Sequence, residues 1–189
     1  GAINYRANVR ALADLGAEAV FAVNVVGSML AEYGPWTFVL VDDFIEFTTG
    51  RDCTFHDQPG EVKHTDMTGV YDPDLRALMT QAAALEGVQL GKGATYVCTN
   101  GPRFETPAEI RMYALMGAGV VGMTGYPEVA LAREAGIPYA SVAVVSNVAA
   151  GMFNGAISHD KIWDMLETTK EPLMRLLGRA VQLRGTGAC

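Results

Sequence analysis

The chain has 189 residues, half of them apolar, which predicts one folded domain with a full hydrophobic core. Its formal net charge of −7 argues against broad binding of nucleic acids or anionic membranes, because both need a basic surface. The three cysteines form no CxxC pair and no metal-binding spacing with the three histidines, so we expect reduced thiols, no bound metal and a cytoplasmic protein. We also expect no membrane span and no signal peptide.

Helix and strand patterns alternate along the chain, with glycine or proline at most boundaries. Predicted helices cover residues 5–15, 72–86, 106–117, 127–135 and 158–181, and Pro172 is a point where the last helix can be interrupted. Predicted strands cover residues 19–26, 38–41, 93–99, 120–123 and 139–145. We expect Gly27 to end the first strand, and Asp42 and Asp43 to follow the second. The alternation predicts a mostly parallel sheet with helices on both faces, an α/β fold.

Two segments stand out from this alternation. Residues 48–67 have little periodicity and hold Cys53, His56 and His64, so we expect a long surface excursion of the kind that often carries function. At the third helix, Thr106 can cap, Pro107 fits the first turn and Glu109 completes a capping box.

Four polar or glycine-rich turns follow predicted strands, at residues 24–28, 99–105, 123–127 and 146–151. Ligands of α/β sheets bind at the carboxyl ends of strands, so we expect these turns to converge. They would bring together an aromatic ring, a carboxylate, two hydroxyls and two amides: Phe104, Glu105, Thr124, Ser146, Asn24 and Asn147. The set has no obvious nucleophile, metal cluster or general-base histidine. It favours binding of a flat heterocycle and a sugar, with transition-state stabilisation rather than covalent catalysis.

Three segments carry a family resemblance: GPRFETPAE at 101–109, GMTGYPEVALAREAGIPYA at 122–140 and VVSNVAAG at 144–151. They resemble the signatures of the trimeric purine nucleoside phosphorylases, which include the methylthioadenosine and methylthioinosine phosphorylases, and the resemblance covers nearly the whole chain. It implies a three-layer mixed α/β fold, a homotrimer or hexamer, and reversible cleavage of an N-glycosidic bond by inorganic phosphate without another cofactor. GMTG and NVAAG are most similar to methylthioinosine phosphorylases, which implies an apolar 5′ substituent.

The resemblance also implies roles for residues at matching positions. Phe104 stacks near the base, Glu105 holds one of its ring edges, and Met123 lies under the sugar. Asn147 is the catalytic residue and faces the purine N7 and the 6-substituent. Phosphate and sugar contacts come from Thr124, Asn24 and Val25, where Val25 replaces a smaller residue, and Gly27 and Ser146 complete the substrate-binding set.

Two histidines fall outside these motifs. By the resemblance, His64 lines the 5′ pocket of a neighbouring subunit, and His159 approaches the 5′ end from its own subunit. Considered alone, His64 is more typical of a surface loop and His159 of a helix cap.

The amide at Asn147 predicts the choice of base. It can donate to a 6-oxo oxygen and accept from a protonated N7, whereas a carboxylate would accept from a 6-amino group. Mispairing a buried polar group costs about 1–3 kcal/mol, so we expect inosine, guanosine or 5′-methylthioinosine rather than adenosine.

Structural interpretations of the same side chains remain open at this point. Phe104 could pack in the core, Glu105 and Thr106 could serve only to cap the following helix, and Asn147 could bond loop backbone groups.

Functional alternatives are a non-catalytic nucleoside-binding or assembly subunit, a 5′-methylthioadenosine phosphorylase, and hydrolysis by water at Glu105 or Glu128. The family's glycine-rich first turn and its Arg-His phosphate pair precede the first residue of this chain, and neither Arg51 nor His56 has the context to replace them. We therefore expect residues 1–189 to be one nucleoside phosphorylase domain that is amino-terminally incomplete and lacks the first strands.

Overall fold

The computed structural model describes residues 3–152 and 159–187, without the side chains of 159–166. Every predicted helix and strand is present, although most boundaries differ by a few residues. In chain order the elements are α1 (Tyr5–Asp14), β1 (Val20–Ser28), β2 (Phe38–Phe47), α2 (Pro73–Glu86), β3 (Leu90–Thr99), α3 (Pro107–Leu115), β4 (Ala118–Gly122), α4 (Glu128–Glu134), β5 (Tyr139–Val148) and α5 (His159–Gly185).

These strands form one mixed sheet in the order β1-β4-β3-β2-β5, and the sheet closes because β5 also pairs with β1. The β1–β5, β2–β3 and β3–β4 pairs are parallel, while β1–β4 and β2–β5 are antiparallel. The predicted mostly parallel α/β sheet is therefore confirmed. Periodicity does not say which strands are neighbours, so the closure is visible only in the structure.

Two predicted strand ends are wrong. β1 continues through Gly27 to Ser28, because a bulge after Val26 lets Gly27 pair with Asn147. β2 continues past Asp42 to Phe47, because residues 43–47 pair with β3. Asp42 accepts a hydrogen bond from the Thr95 hydroxyl at 3.3 Å.

The helix ends follow the local signals in the sequence. Asp72 caps α2 by accepting from the Leu75 amide, and Gly87 ends that helix in the left-handed conformation. The predicted capping box of α3 is confirmed, since Thr106 and Glu109 each accept from the other's backbone amide. The predicted interruption at Pro172 is wrong, because α5 continues through it.

The predicted excursion is confirmed, since residues 48–72 contain neither helix nor strand. Side chains nevertheless fasten it to the helices. Glu134 of α4 accepts from the Thr54 hydroxyl at 2.7 Å and from the Phe55 amide at 2.8 Å. Arg6 of α1 pairs with Asp52. The segment is therefore held against α1 and α4.

Among the described residues, no helix is long and apolar enough to cross a lipid bilayer.

Candidate active site

A cavity of about 350 Å³ opens beside the last residues of β1 and β5 and the turns that follow β3 and β4. This volume lies within the range of small-molecule sites. The structure brings most of the predicted site residues to its wall: Val25, Gly27, Phe104, Glu105, Met123, Thr124, Ser146 and Asn147. Val23, Val26, Val121 and Ala149 add apolar surface. The predicted convergence of the turns is thus observed.

Phe104 lies at the mouth of this cavity with 43% of its surface exposed. A ring packed in the core would be almost fully buried, so the core interpretation of Phe104 is wrong. Val23 and Val25 on the same wall are 41% and 39% exposed. Contiguous exposed apolar side chains inside a cavity are typical of a ligand-binding surface.

The Glu105 carboxylate is oriented by a hydrogen bond from a buried hydroxyl. Thr99, at the end of β3, donates from Oγ1 to Glu105 Oε1 at 2.8 Å. No hydrogen bond among the described residues uses Oε2, so this oxygen can accept from a ligand. The helix-cap interpretation does not apply to Glu105, because Thr106 and Glu109 make the cap of α3.

Arg103 belongs to this turn but does not line the cavity, and it forms an ion pair with Glu109 at 2.7 Å. The hydrogen bond from Arg103 lowers the pKa of Glu109 to about 2. Glu109 therefore stays ionised and belongs to the helix start rather than to the cavity.

The turn after β4 is supported by Tyr96, a residue that the sequence analysis assigned only to a strand. The Tyr96 hydroxyl accepts from the backbone amides of Thr124 and Gly125 at 3.1 and 3.2 Å. Burial raises the pKa of Tyr96 well above its ordinary value, so the hydroxyl remains neutral. A Cβ at Gly122 would lie 2.5 Å from this oxygen, so only glycine allows the approach.

Asn24 is buried behind the cavity wall rather than on it. Its Oδ1 accepts from Thr124 Oγ1 at 3.1 Å, and its Nδ2 donates to Ser141 Oγ at 2.7 Å. This chain of bonds fixes the Thr124 hydroxyl at the cavity.

Asn147 and Ser146 form the polar edge at the end of β5. Ser146 Oγ lies 2.6 Å from Asn147 Oδ1 and 3.1 Å from the Val26 carbonyl oxygen, while Asn147 Nδ2 donates to the Val148 carbonyl at 2.9 Å. An amide has two N–H groups and two lone pairs, so Asn147 keeps one donor and one acceptor for a ligand. A Cβ at Gly27 would come within 3.2 Å of Nδ2, so glycine leaves room for the amide.

The two histidines are placed differently. His64 is exposed in the 48–72 excursion and does not line the cavity. The side chain of His159 lies outside the described residues. Within the described part of the chain, no group of three or more His, Cys, Asp or Glu residues could hold a metal ion.

Known proteins are similar to this chain in sequence and in fold. The sequence model of the phosphorylase superfamily matches residues 1–182. The chain belongs to that superfamily. It is 44% identical over 187 residues to 6-oxopurine nucleoside phosphorylase of Pyrococcus furiosus, covering 96% of this chain and 71% of the relative. It is 41% identical over 180 residues to probable S-methyl-5′-thioinosine phosphorylase of Methanothermobacter thermautotrophicus, covering 95% of this chain and 62% of the relative.

Solved structures agree with this assignment. Methylthioadenosine phosphorylase from Schistosoma mansoni, in complex with tubercidin, matches with a TM-score of 0.91 and 31% identity, over 97% of this chain and 71% of that one. The family and the three-layer fold predicted from the motifs are confirmed.

Proposed function

We propose that the chain cleaves the N-glycosidic bond of a 6-oxopurine nucleoside with inorganic phosphate. The substrate is inosine, guanosine or 5′-methylthioinosine, and the products are the free purine and ribose 1-phosphate or 5-methylthioribose 1-phosphate. The proposal rests on Asn147, which lines the cavity and whose amide keeps one free donor and one free acceptor. Relatives 41–44% identical to the chain are named for 6-oxopurine nucleosides or S-methyl-5′-thioinosine.

The cavity wall supports recognition of a purine. Phe104 offers an exposed ring face for stacking, and Glu105 offers a free carboxylate oxygen to a ring N–H. Asn147 would donate to the 6-oxo oxygen and accept from N7–H. Met123 and Val25 present the apolar surface on which a sugar can lie.

In the proposed reaction, a phosphate oxygen attacks C1′ as the bond from C1′ to N9 breaks. The sugar passes through a cationic state, and the electron pair of the broken bond leaves with the purine, which is protonated at N7. Asn147 stabilises this departing base, because its donation to the 6-oxo oxygen strengthens as negative charge develops. Its Oδ1 accepts from N7–H once N7 has taken up a proton from solvent. Phosphate is itself the nucleophile, so the mechanism needs neither a protein nucleophile nor a metal cofactor. The single O–H of Thr124 donates to Asn24 Oδ1 here, so to donate to phosphate it would have to turn away from Asn24.

A second candidate is phosphorolysis of 5′-methylthioadenosine, favoured by the fold match to methylthioadenosine phosphorylase. A 6-amino group needs an acceptor, so the Asn147 amide would have to turn over. That rotation would bring Oδ1 against the Val148 carbonyl oxygen, which now accepts from Nδ2 at 2.9 Å. Two facing acceptors repel, so this contact favours 6-oxopurines.

We further propose that the chain works as a homotrimer in the cytoplasm. The exposed position of His64 is compatible with a contact to a neighbouring subunit. The free thiols of Cys53 and Cys98 are typical of a reducing compartment.

The test is release of free purine from inosine, 5′-methylthioinosine and adenosine, measured by chromatography with and without phosphate. Cleavage of the 6-oxopurine nucleosides only with phosphate is the expected result. Equal cleavage without phosphate would identify a hydrolase. Binding of nucleoside in calorimetry without any cleavage would identify a non-catalytic subunit, and both outcomes overturn the proposal.

A further inference from the structure

Arg51, in the 48–72 excursion, places its guanidinium where two site turns meet. Nη2 donates to the carbonyl oxygens of Thr99 at 3.1 Å and Met123 at 2.8 Å, and Nη1 donates to the carbonyl of Tyr126. Its Cζ lies 5.6 Å from the centre of the Tyr5 ring, which supports it from α1. One side chain therefore joins the end of β3 to both sides of the turn after β4.

Each carbonyl held by Arg51 belongs to a segment that forms the cavity. Thr99 bonds Glu105 through its side chain, and Met123 lines the cavity directly. Arg51 itself is not on that wall. It lines a second cavity, of about 630 Å³, that shares Met123 and Thr124 with the first. The guanidinium thus lies behind the substrate-facing surface and is reachable from solvent.

The contact needs the shape of a guanidinium as well as its charge. Several partially negative carbonyl oxygens converge on one point, and a planar fork of N–H donors can bond them together. A lysine ammonium is a single point with a different donor geometry. Without the fork, the two turns lose the bridge that fixes their separation, although Tyr96 still holds the turn after β4 from the side of the sheet.

We propose that Arg51 is a positioning residue for phosphorolysis, setting the distance between Glu105 on one turn and Met123 and Thr124 on the other. The inference rests on the proposed function, since it assigns base and sugar–phosphate contacts to these two turns. A misplacement of about 1 Å at a reacting centre costs on the order of 100-fold in rate. Base and sugar would still bind, but in poorer alignment, so kcat should fall more than KM rises.

The experiment compares wild type, Arg51→Ala and Arg51→Lys with the control Arg184→Ala. Arg184 also donates to a backbone carbonyl, that of Glu18 at 3.0 Å. Glu18 lies five residues before Val23, the first β1 residue on the cavity wall, a distance of about 17 Å along an extended chain. Steady-state kinetics with inosine and phosphate give kcat and KM. Hydrogen–deuterium exchange follows residues 100–106 and 123–127, with α2 as the internal reference.

Adding free guanidinium ions tests the role of the side chain directly, because Arg51 lines a cavity that such ions can enter. We expect Arg51→Ala to lose roughly 10- to 100-fold in kcat, with faster exchange in both turns only. Millimolar guanidinium chloride should restore part of the loss, whereas sodium chloride at equal ionic strength should not. Arg51→Lys should stay impaired, and Arg184→Ala should keep wild-type kcat with or without guanidinium.

Wild-type kcat in Arg51→Ala overturns the inference. So does a loss that guanidinium does not restore, or one accompanied by faster exchange throughout the chain. If wild type cleaves no nucleoside, the proposed function is overturned instead. Hydrogen–deuterium exchange in the two turns then tests the inference by itself. Faster exchange in Arg51→Ala supports the bridge between the turns, and unchanged exchange contradicts it.

Discussion

Replacing Asn147 with aspartate tests the base preference directly. The substitution keeps the size of the side chain but turns its nitrogen donor into a carboxylate oxygen. That donor bonds the Val148 carbonyl at 2.9 Å, and in the proposed function its second N–H donates to the 6-oxo oxygen. With aspartate, the 6-oxo oxygen would face an acceptor, while the 6-amino group of adenosine would find one.

The magnitude follows from these contacts. Leaving the 6-oxo oxygen mispaired costs about 1–3 kcal/mol. Since about 1.4 kcal/mol is tenfold, the ratio of kcat/KM for inosine to that for adenosine should fall by roughly 10- to 100-fold. The lost bond to Val148 contributes about 1 kcal/mol to folding, which lowers the melting temperature of a chain of this size by about 2–4 °C.

The assay measures kcat/KM for inosine and adenosine in phosphate buffer, by chromatography of the released base. The matched control is Asn8→Asp, which makes the same charge change on the exposed side of α1. If Asn147→Asp keeps the wild-type ratio of kcat/KM for inosine to that for adenosine, the reasoning is refuted, because the amide then does not face the 6-position.

Three further predictions concern the same region. Phe104→Ala should weaken purine binding in calorimetry by roughly 5- to 100-fold, because stacking of a base on an aromatic ring is worth about 1–3 kcal/mol, while the melting temperature stays near that of wild type. Thr99→Val should lower kcat/KM about fivefold, because it removes a hydrogen bond worth about 1 kcal/mol that orients Glu105. Glu109→Gln should remove a pH-dependent part of stability. Arg103 lowers the pKa of Glu109 from 4.5 to about 2, so this part is complete above 4.5 and lost as pH falls towards 2. Thermal unfolding should show the difference between wild type and variant shrinking over that interval.

The first two of these variants have matched controls. Phe47→Ala removes a ring of similar exposure, 38%, that does not line the cavity, so purine binding should persist. Thr80→Val changes a hydroxyl on the exposed side of α2 and should leave kinetics unchanged. Strong destabilisation by Phe104→Ala would make that ring structural, and wild-type kinetics in Thr99→Val would separate Thr99 from Glu105. A melting difference that is constant with pH would exclude the Glu109 carboxylate as its source.

The sequence alone was sufficient for the elements and their boundaries where the signal is local. The capping box at Thr106 and Glu109 and the glycine after α2 involve residues three or four positions apart, so the sequence displays both partners together. The family motifs were visible for the same reason, since each is one continuous segment. These motifs contain most of the residues that line the cavity, so the residues could be predicted without knowing how the strands pair.

The tertiary structure alone identified the residues that support the wall. Arg51 contacts Thr99, and Tyr96 contacts Thr124, across 48 and 28 positions of the chain. The structure also shows that Asn24 lies behind the cavity wall, where it bonds Thr124, 100 residues later in the chain. Such partners depend on which strands are neighbours and where their carbonyl and amide groups point. Periodicity records only whether a residue faces the core, so long-range polar partners appear only once the sheet has closed.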